Sequence, residues 1–255
     1  MLLAIDAGNT NVTIGIFDGP RIITRWRLRT VHDQTPDEWG IKLRSLFALE
    51  GLPLEKVSGI VAATVVPPLE SSLTGMARRY FPVEPMFVTG HTETGLNVLY
   101  DNPREVGADR IVNAVAAIAK YGGPCIVVDL GTAITFDAVS ANAEYLGGII
   151  CPGIGMSIQG LFTRTARLPM VDFRDPEKLI GTNTVVSMQS GLYYGTICMI
   201  DGIVERMIAE MGKGTKSVAT GGQASLITRG SKFVKVADED LTLEGLRMIW
   251  ERNRP

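Results

Sequence analysis

The sequence has no excess of positive charge and no long hydrophobic run. Its 25 Lys and Arg residues are balanced by 27 Asp and Glu residues, and a net charge of -2 offers no basic surface to nucleic acid. Asp6 interrupts the N-terminal apolar run, and no basic segment precedes that run, so we expect no secretory signal. Apolar stretches such as residues 60–67 are far shorter than a membrane span. We therefore expect a cytoplasmic protein with no nucleic-acid or membrane partner.

Cysteines and complete nucleotide-binding fingerprints are also scarce. Cys125, Cys151 and Cys198 are widely spaced in apolar surroundings, without a C-x-x-C pair, and are interpreted as reduced core residues. Gly153-Ile154-Gly155 lacks the third glycine of a dinucleotide fingerprint, and residues 212–217 lack the P-loop spacing. Both of these common routes to nucleotide binding are therefore excluded.

What the sequence does contain is an apolar strand that ends in an acid, at its very start. Leu2 to Asp6 is followed by Ala7, the small polar turn Gly8-Asn9-Thr10-Asn11, and a returning strand from Val12 to Phe17. Turn N–H groups and Asn and Thr side chains form a concave set of donors that suits phosphate oxygens. An ordinary hairpin with an Asn-rich turn remains the alternative at this point.

A second copy of this pattern favours the phosphate-binding interpretation. Cys125 to Val139 repeats the order of apolar strand, Asp129-x-Gly131, a polar turn with Thr132, and a return strand. It begins almost halfway along the 255 residues, which indicates a duplicated α/β domain. We predict lobes at residues 1–120 and 121–255, in the actin-like ATPase and sugar-kinase (ribonuclease H-like) fold, with ATP in the cleft between the lobes.

The long loop of residues 89–105 leads into a second group of candidate residues. Tyr100 lies in the loop, and Gly107-Ala108-Asp109-Arg110 opens a strongly helical stretch. An acid at this position can take a proton from an alcohol, and the neighbouring Arg can pair with a carboxylate. The alternative is that Asp109 is a helix-dipole acid and Arg110 a solvated surface charge.

Three features of the second half carry weaker predictions. Thr184 begins a long helix whose N-terminus can hold a polar ligand, although simple capping by Asn183 or Thr184 explains it equally well. The paired glycines Gly221-Gly222 can present flat backbone to an adenine. Residues 163–183 are interpreted as a flap, and the terminal helix after Asp240 is expected to pack onto the second lobe.

Taken in order, these motifs resemble the type III pantothenate kinase family along essentially the whole chain. The resemblance rests on Asp6-x-Gly-Asn-Thr-Asn, Pro103-x-x-x-Gly107-x-Asp109-Arg110 and Asp129-x-Gly131-Thr132-x-x-Thr135. It is supported by Gly147-Gly148-x-Ile150-x-Pro152-Gly153, Gly181-x-x-Thr184, Thr220-Gly221-Gly222 and the Leu241-Thr242-Leu243-x-Gly245-Leu246 ending.

The resemblance implies ATP-dependent phosphorylation of pantothenate to 4′-phosphopantothenate, the first step of coenzyme A synthesis. It also implies Mg²⁺ with ATP, a monovalent cation (K⁺ or NH₄⁺) and a homodimer. The implied ATP-binding residues are Asp6, Ala7, Gly8, Asn9, Thr10, Asn11, Val12, Thr13 and Thr132. The implied pantothenate-binding residues are Tyr100, Gly107, Ala108, Asp109, Arg110 and Thr184. Asp109 is the implied general base and Asp129 the implied monovalent-cation ligand. Because Asp6 ends the strand that leads into the phosphate turn, we expect its carboxylate to act on ATP and its Mg²⁺.

The residues alone leave two alternative functions open. The hairpins alone fit any small-molecule kinase of this superfamily, including one that acts on a sugar. A non-catalytic regulator on the same fold would be expected to have lost its acids, whereas Asp6, Asp109 and Asp129 are all present.

Overall fold

The structure of the protein, a computed structural model, describes residues 1–81 and 83–254. The chain divides into two compact units. The first unit comprises Met1–Gly95, Asp101–Ala116 and the C-terminal stretch from Thr242. The second unit comprises Leu96–Tyr100 and Ala117–Leu241.

The first unit is built on a five-stranded sheet of order β3-β2-β1-β4-β5. Its strands are β1 (Leu2–Ala7), β2 (Asn11–Asp18), β3 (Arg21–Arg29), β4 (Gly59–Thr64) and β5 (Pro85–Phe87). β1, β2 and β3 form an antiparallel meander, while β4 runs parallel to β1 and β5 runs parallel to β4. β1 is therefore central and buried.

Helices follow the meander of the first unit. They are α1 (Pro36–Leu49), α2 (Pro67–Tyr80) and the part of α3 (Ala108–Tyr121) up to Ala116, with short 3-10 helices at Leu54–Lys56 and Pro103–Glu105. α1 begins after Thr35, because Thr35 and Glu38 form a reciprocal capping box at its N-terminus. The apolar faces of α1 and α2 pack with the sheet in one core, which includes Trp39, Leu43, Leu69 and Leu73.

The second unit repeats the meander in a six-stranded sheet of order β11-β10-β7-β8-β9-β6. Its strands are β6 (Asn97–Val98), β7 (Cys125–Leu130), β8 (Ala133–Val139), β9 (Glu144–Pro152), β10 (Lys216–Thr220) and β11 (Val236–Ala237). β7, β8 and β9 are antiparallel, and β10 is parallel to β7. The helices of this unit are α4 (Ile154–Arg164), α5 (Thr184–Met211) and α6 (Ala224–Gly230).

The two sheets confirm the duplicated α/β fold, but the unit boundaries differ from lobes at 1–120 and 121–255. The last helix, α7 (Leu241–Asn253), was expected to pack onto the second lobe, and that prediction was wrong. Leu243 contacts Gly15, and Trp250 fills the space above Gly59, so α7 packs on the sheet of the first unit. Thr242 also donates a 2.7 Å hydrogen bond to Asn113 of α3.

Residues 163–183, interpreted from sequence as a flap, are anchored to α5. Val171 is buried against Met188 and Leu192, and the side chain of Gln189 donates to the carbonyl of Asp172.

Among the described residues, no helix combines the length and apolar character that a membrane crossing requires.

Candidate functional site

The first hairpin presents its polar turn from the end of the central strand. Asp6 pairs across the sheet with Thr13 of β2 and with Ala63 of β4, which places the half-buried carboxylate near the end of β1. The N–H of Gly8 donates to the carbonyl of Asn11 at 3.0 Å and closes the turn. Asn9 and Thr10, at its tip, are exposed.

A residue that the sequence analysis did not single out holds this turn in place. Thr30 is buried directly after β3, where its hydroxyl donates to the carbonyl of Gly8 at 2.6 Å. Its backbone N–H donates to the carbonyl of Thr10 at 3.0 Å. Fixing two turn carbonyls orients the intervening peptides, so Thr30 preorganises the turn. Only the pairing of β2 with β3 reveals this role.

The helix that carries Asp109 begins beside the first hairpin. Val65 donates its N–H to the carbonyl of Ala7 at 3.2 Å, and its side chain faces Gly107, where an added Cβ would lie 3.8 Å from Cγ1. The carbonyl of Gly107 accepts from the N–H groups of Arg110 and Ile111 and starts α3. Within the first unit, the structure thus brings the end of β1 and the Gly107–Arg110 motif to either side of Val65.

Asp109 occupies a constrained and largely desolvated position. Its Oδ1 accepts a 2.9 Å hydrogen bond from the N–H of Arg110 and lies only 2.5 Å from where a Cβ on Gly107 would be. Burial raises the pKa of the Asp109 carboxyl above its ordinary value, while the backbone N–H and the charge of Arg110 act in the opposite direction. A raised pKa makes a carboxylate a better proton acceptor near neutral pH.

The second hairpin repeats the first but is packed more tightly. Asp129 pairs with Thr135 of β8 and with the buried Thr220 of β10, and the N–H of Gly131 donates to the carbonyl of Ala133 at 3.1 Å. Thr132 is exposed at the turn. Gly153 backs directly onto this turn, since a Cβ there would lie 1.9 Å from the carbonyl oxygen of Thr132.

The surroundings of Asp129 are rich in oxygen atoms. A Cβ on Gly221 would lie 2.7 Å from both Oδ1 of Asp129 and the carbonyl oxygen of Leu130, so both oxygen atoms pack closely against Gly221. Gly221 has φ +89°, which favours glycine. The close approach at Gly221 is therefore to protein, and the predicted adenine contact there stays a prediction. Carboxylate and carbonyl oxygens suit hard cations.

A Mg²⁺ site in this protein would need few side-chain ligands. Within residues 1–81 and 83–254, no group of three or more His, Cys, Asp or Glu side chains gathers as a metal cluster. A magnesium ion commonly uses one or two carboxylates together with substrate phosphates and waters. The single carboxylate of Asp6 beside the predicted phosphate turn fits that pattern.

Tyr100 is positioned by the second unit. β6 pairs with β9, and the N–H of Leu99 donates to the carbonyl of Tyr145 at 2.9 Å. The Tyr100 ring then lies against Gly147 and the Tyr145 ring, whose centroid is 6.3 Å away. The buried Asp137, which sequence reading missed, accepts hydrogen bonds from the hydroxyls of Tyr145 at 2.6 Å and Thr135 at 3.1 Å.

Thr184 lines a groove of about 940 Å³ between α4 and α5. The groove is lined by small, polar and apolar residues that include Ser157, Leu161, Asn183, Thr184, Ser187 and Met199. Asn183 is the helix cap, since its side chain accepts from the N–H of Val186 at 3.0 Å. Because Asn183 supplies the cap, the exposed Thr184 hydroxyl is not required for that purpose.

Comparisons with known proteins show the family to which this chain belongs. The profile of the type III pantothenate kinase family matches residues 2–206. The chain belongs to this family. A type III pantothenate kinase from Solibacter usitatus (strain Ellin6076) is 62% identical over 255 residues, which cover 100% of this chain and 98% of that protein. One from Koribacter versatilis (strain Ellin345) is 53% identical over 264 residues, with 100% and 96% covered.

Solved structures of lower identity show the fold that the family shares. One from Campylobacter jejuni, provisionally described as a Baf family transcriptional activator, has a TM-score of 0.60 at 20% identity, with 98% of each chain covered. Another from Sinorhizobium meliloti, provisionally described as a 2-dehydro-3-deoxygalactonokinase, has a TM-score of 0.59 at 13% identity, with 100% of this chain and 97% of that chain covered. The predicted actin-like ATPase and sugar-kinase fold is confirmed.

Proposed function

We propose that this protein transfers the γ-phosphoryl group of ATP to pantothenate and forms 4′-phosphopantothenate, the first step of coenzyme A synthesis. Membership of the type III pantothenate kinase family supports the kinase activity and the acceptor. The observation that carries the mechanism is the desolvated carboxylate of Asp109, held beside the phosphate turn of the first unit through Val65.

Asp109 is the proposed general base. It accepts the proton of the primary hydroxyl of pantothenate as that oxygen attacks the γ-phosphorus, and ADP leaves. Phosphoryl transfer depends mostly on positioning and on charge stabilisation, so the base must be held in a fixed direction. The N–H of Arg110, which donates to Oδ1, leaves the other carboxylate oxygen as the natural proton acceptor.

The remaining residues hold the two substrates. The carboxylate of pantothenate is the proposed partner of Arg110, because a guanidinium matches a carboxylate in charge and geometry. Gly107 and Ala108 supply backbone at the start of α3, and Tyr100 and Thr184 complete the set implied by the family. The turn residues from Asp6 to Thr13, together with Thr132, are proposed to bind the phosphates of ATP.

Two cations are part of the proposal. Asp6 would hold Mg²⁺, which offsets phosphate charge when bound. Asp129 would hold a monovalent cation, K⁺ or NH₄⁺, which supplies a further positive charge. The oxygen atoms around Gly221 support the second assignment.

We also propose a cytoplasmic homodimer, as the family resemblance implies. The apolar side chains of α5 give no support for an interface on that helix, because Tyr193 is buried and Tyr194, Met199 and Ile203 pack against the core of the second unit. Large exposed apolar side chains instead lie on β9, on α4, before α5 and in the first turn of α5. They include Ile150, Met156, Phe162, Leu179, Ile180 and Val185. Light scattering at micromolar protein should give the dimer mass, and a monomer would contradict this.

The alternatives, a related small-molecule kinase or a non-catalytic regulator, are not favoured. Full-length identity to named pantothenate kinases argues against a different acceptor, and the three acids argue against loss of catalysis. The test is transfer of labelled γ-phosphate from ATP to a panel of hydroxylated acids and sugars. We expect label on pantothenate alone. Label on a sugar, with none on pantothenate, would overturn the proposal.

A further inference from the structure

The first hairpin contains no Lys or Arg, yet the structure places arginines beside it. β3 is an edge strand that pairs only with β2 in its sheet. Its exposed positions alternate with half-buried ones, and Arg25, Arg27 and Arg29 occupy three successive exposed positions. These residues are distant in sequence from the Gly8–Asn11 turn, so no local motif connects them with it.

The strand register brings two of these arginines level with the turn. Arg29 lies opposite Asn11, and Arg27 lies opposite Thr13, which in turn lies opposite Asp6. Directly opposed residues of antiparallel strands project from the same face. With strands about 4.8 Å apart, Arg27 is one strand spacing from Thr13 and about 10 Å from Asp6. A long arginine side chain can cover that interval.

The end of β3 is also fixed to the turn. Thr30, the residue after Arg29, is hydrogen-bonded to the carbonyls of Gly8 and Thr10. The backbone from which Arg29 projects is therefore held against the turn whose N–H groups are proposed to contact phosphate. The arrangement of Arg29 relative to the turn depends on these two short contacts and not on a flexible loop.

Arg27 and Arg29 differ in their charge pairing from other arginines of the same unit. Arg78, Arg79 and Arg247 each form an ion pair with a neighbouring carboxylate. Within residues 1–81 and 83–254, the guanidinium groups of Arg27 and Arg29 form no ion pair with a carboxylate. Two exposed guanidinium groups beside a phosphate turn create a positive field that a polyanion would neutralise.

We propose that Arg27, assisted by Arg29, is a phosphate-binding residue that contacts the triphosphate of ATP held at the Gly8–Asn11 turn. A guanidinium offers parallel N–H donors that match phosphate oxygens. The pair supplies the positive charge that neither hairpin contains. The inference rests on the proposed function only through the placement of ATP at this turn, and it is independent of the acceptor.

The alternative role for edge-strand charges is to prevent strand pairing between molecules. Arg21 provides a matched control, because it lies on β3 opposite Asp18, beyond the bulge and about 20 Å along the strand from Arg27. Replacing Arg21 with Gln makes the same charge change on the same edge strand. It removes protection against strand pairing equally but leaves the turn unchanged.

The experiment is calorimetric titration of Arg27→Gln, Arg29→Gln and Arg21→Gln with MgATP and with adenosine, without pantothenate. We expect Arg27→Gln to weaken MgATP binding by about tenfold or more, the loss typical of a hydrogen bond to a charged group. Arg29→Gln should have a smaller effect, and Arg21→Gln should stay within about twofold of wild type. Adenosine binding should be the same in all three, since it carries no phosphate.

Equal MgATP affinity for the three variants would overturn the inference, as would an equal loss for adenosine. Arg29→Gln gives an independent result if Arg27→Gln does not fold. Because pantothenate is absent from these titrations, a wrong acceptor would leave the expected pattern intact. A failed acceptor assignment appears only in the labelled-phosphate panel, so the two failures are distinguishable.

Discussion

The two hairpins have the same design and different surroundings. In each, a central strand ends in an aspartate that lies opposite a threonine, at Asp6 and Thr13 or at Asp129 and Thr135. In each, a parallel strand, β4 or β10, pairs with the other side of the aspartate strand. The local backbone pattern is therefore duplicated.

The difference lies in what packs behind the turns. The first turn is held by the side chain of Thr30 and bordered by arginines of β3. The second is backed by bare glycine backbone at Gly153 and Gly221, with carbonyl and carboxylate oxygens close by. We expect the positive surroundings to suit phosphates and the oxygen-rich surroundings to suit a cation. On this hypothesis the duplication supplies the scaffold, and the flanking residues determine what each copy binds.

The largest expected effect comes from Asp109, which lies near the first hairpin within the first unit. Asp109→Asn should lower kcat by about 10²–10⁴, the usual range for loss of a general base. Wild-type kcat should rise with pH through the raised pKa of Asp109, because the ionised form is the base. Steady-state rates against pH check this, and near-normal turnover by the variant would return Asp109 to a capping role.

The free energy of unfolding should depend on pH in the opposite direction to kcat. Burial raises the folded-state pKa of Asp109, so its contribution to stability is present below the unfolded-state pKa and is lost as pH rises through the folded-state pKa. At neutral pH, Asp109→Asn should therefore unfold at higher denaturant than wild type, with the difference shrinking in acid. A variant that is less stable at neutral pH would contradict the account.

Asp129 tests the second hairpin as a cation site. Wild-type rates should be higher in potassium or ammonium than in sodium alone, and Asp129→Asn should lose this preference. The reason is that the carboxylate of Asp129 is the proposed source of the negative charge that would hold the cation. Assays in the three salts at equal ionic strength decide it, and equal wild-type rates in all three would remove the cation site.

Gly153 tests how tightly the second turn is packed. Gly153→Ala should destabilise the protein by about 3 kcal/mol, since the new Cβ would meet the backbone of Thr132 at 1.9 Å. Gly155→Ala is the matched control two residues on, where no described atom beyond the neighbouring residues and the local helix backbone lies within 4 Å of the added Cβ. Urea unfolding of both variants measures the difference. Equal stability of the two variants would mean that the turn backbone shifts at little cost in free energy.

Thr30 should give the smallest effect, on the first turn. Thr30→Val removes the hydroxyl that donates to Gly8 while keeping the shape, and a net loss of about 1 kcal/mol is expected. That corresponds to about a fivefold weaker binding of MgATP if the turn is preorganised for phosphate. Thr24→Val, on the same strand opposite Ile16, should leave affinity unchanged. Equal affinities for the two variants would leave Thr30 with a structural role only.

Local patterns predicted the elements of this fold well. The strand, aspartate and glycine turn recur because apolar runs and turn residues are encoded within about ten positions. The capping box at Thr35 and the start of α5 at Thr184 were accessible for the same reason. Each of these features depends on neighbours in the sequence.

Contacts between residues far apart in the sequence could not be predicted from local patterns. The sequence shows that α7 is amphipathic but not which sheet covers its apolar face, and that choice depends on the space above Gly15 and Gly59. Arg27 opposite Thr13 and Thr30 against Gly8 depend on strand register. The pairing of Asp137 with Tyr145 likewise follows from the meander of β8 and β9.

The most direct test of the account is separate titration of ATP and pantothenate against Asp6→Asn and Asp109→Asn. We expect Asp6→Asn to weaken binding of magnesium-bound ATP and to leave pantothenate binding largely intact. We expect Asp109→Asn to retain nucleotide affinity although turnover is lost. If both variants lose affinity for the same ligand, or if Asp6→Asn loses only pantothenate, the assigned roles of the two acids are contradicted.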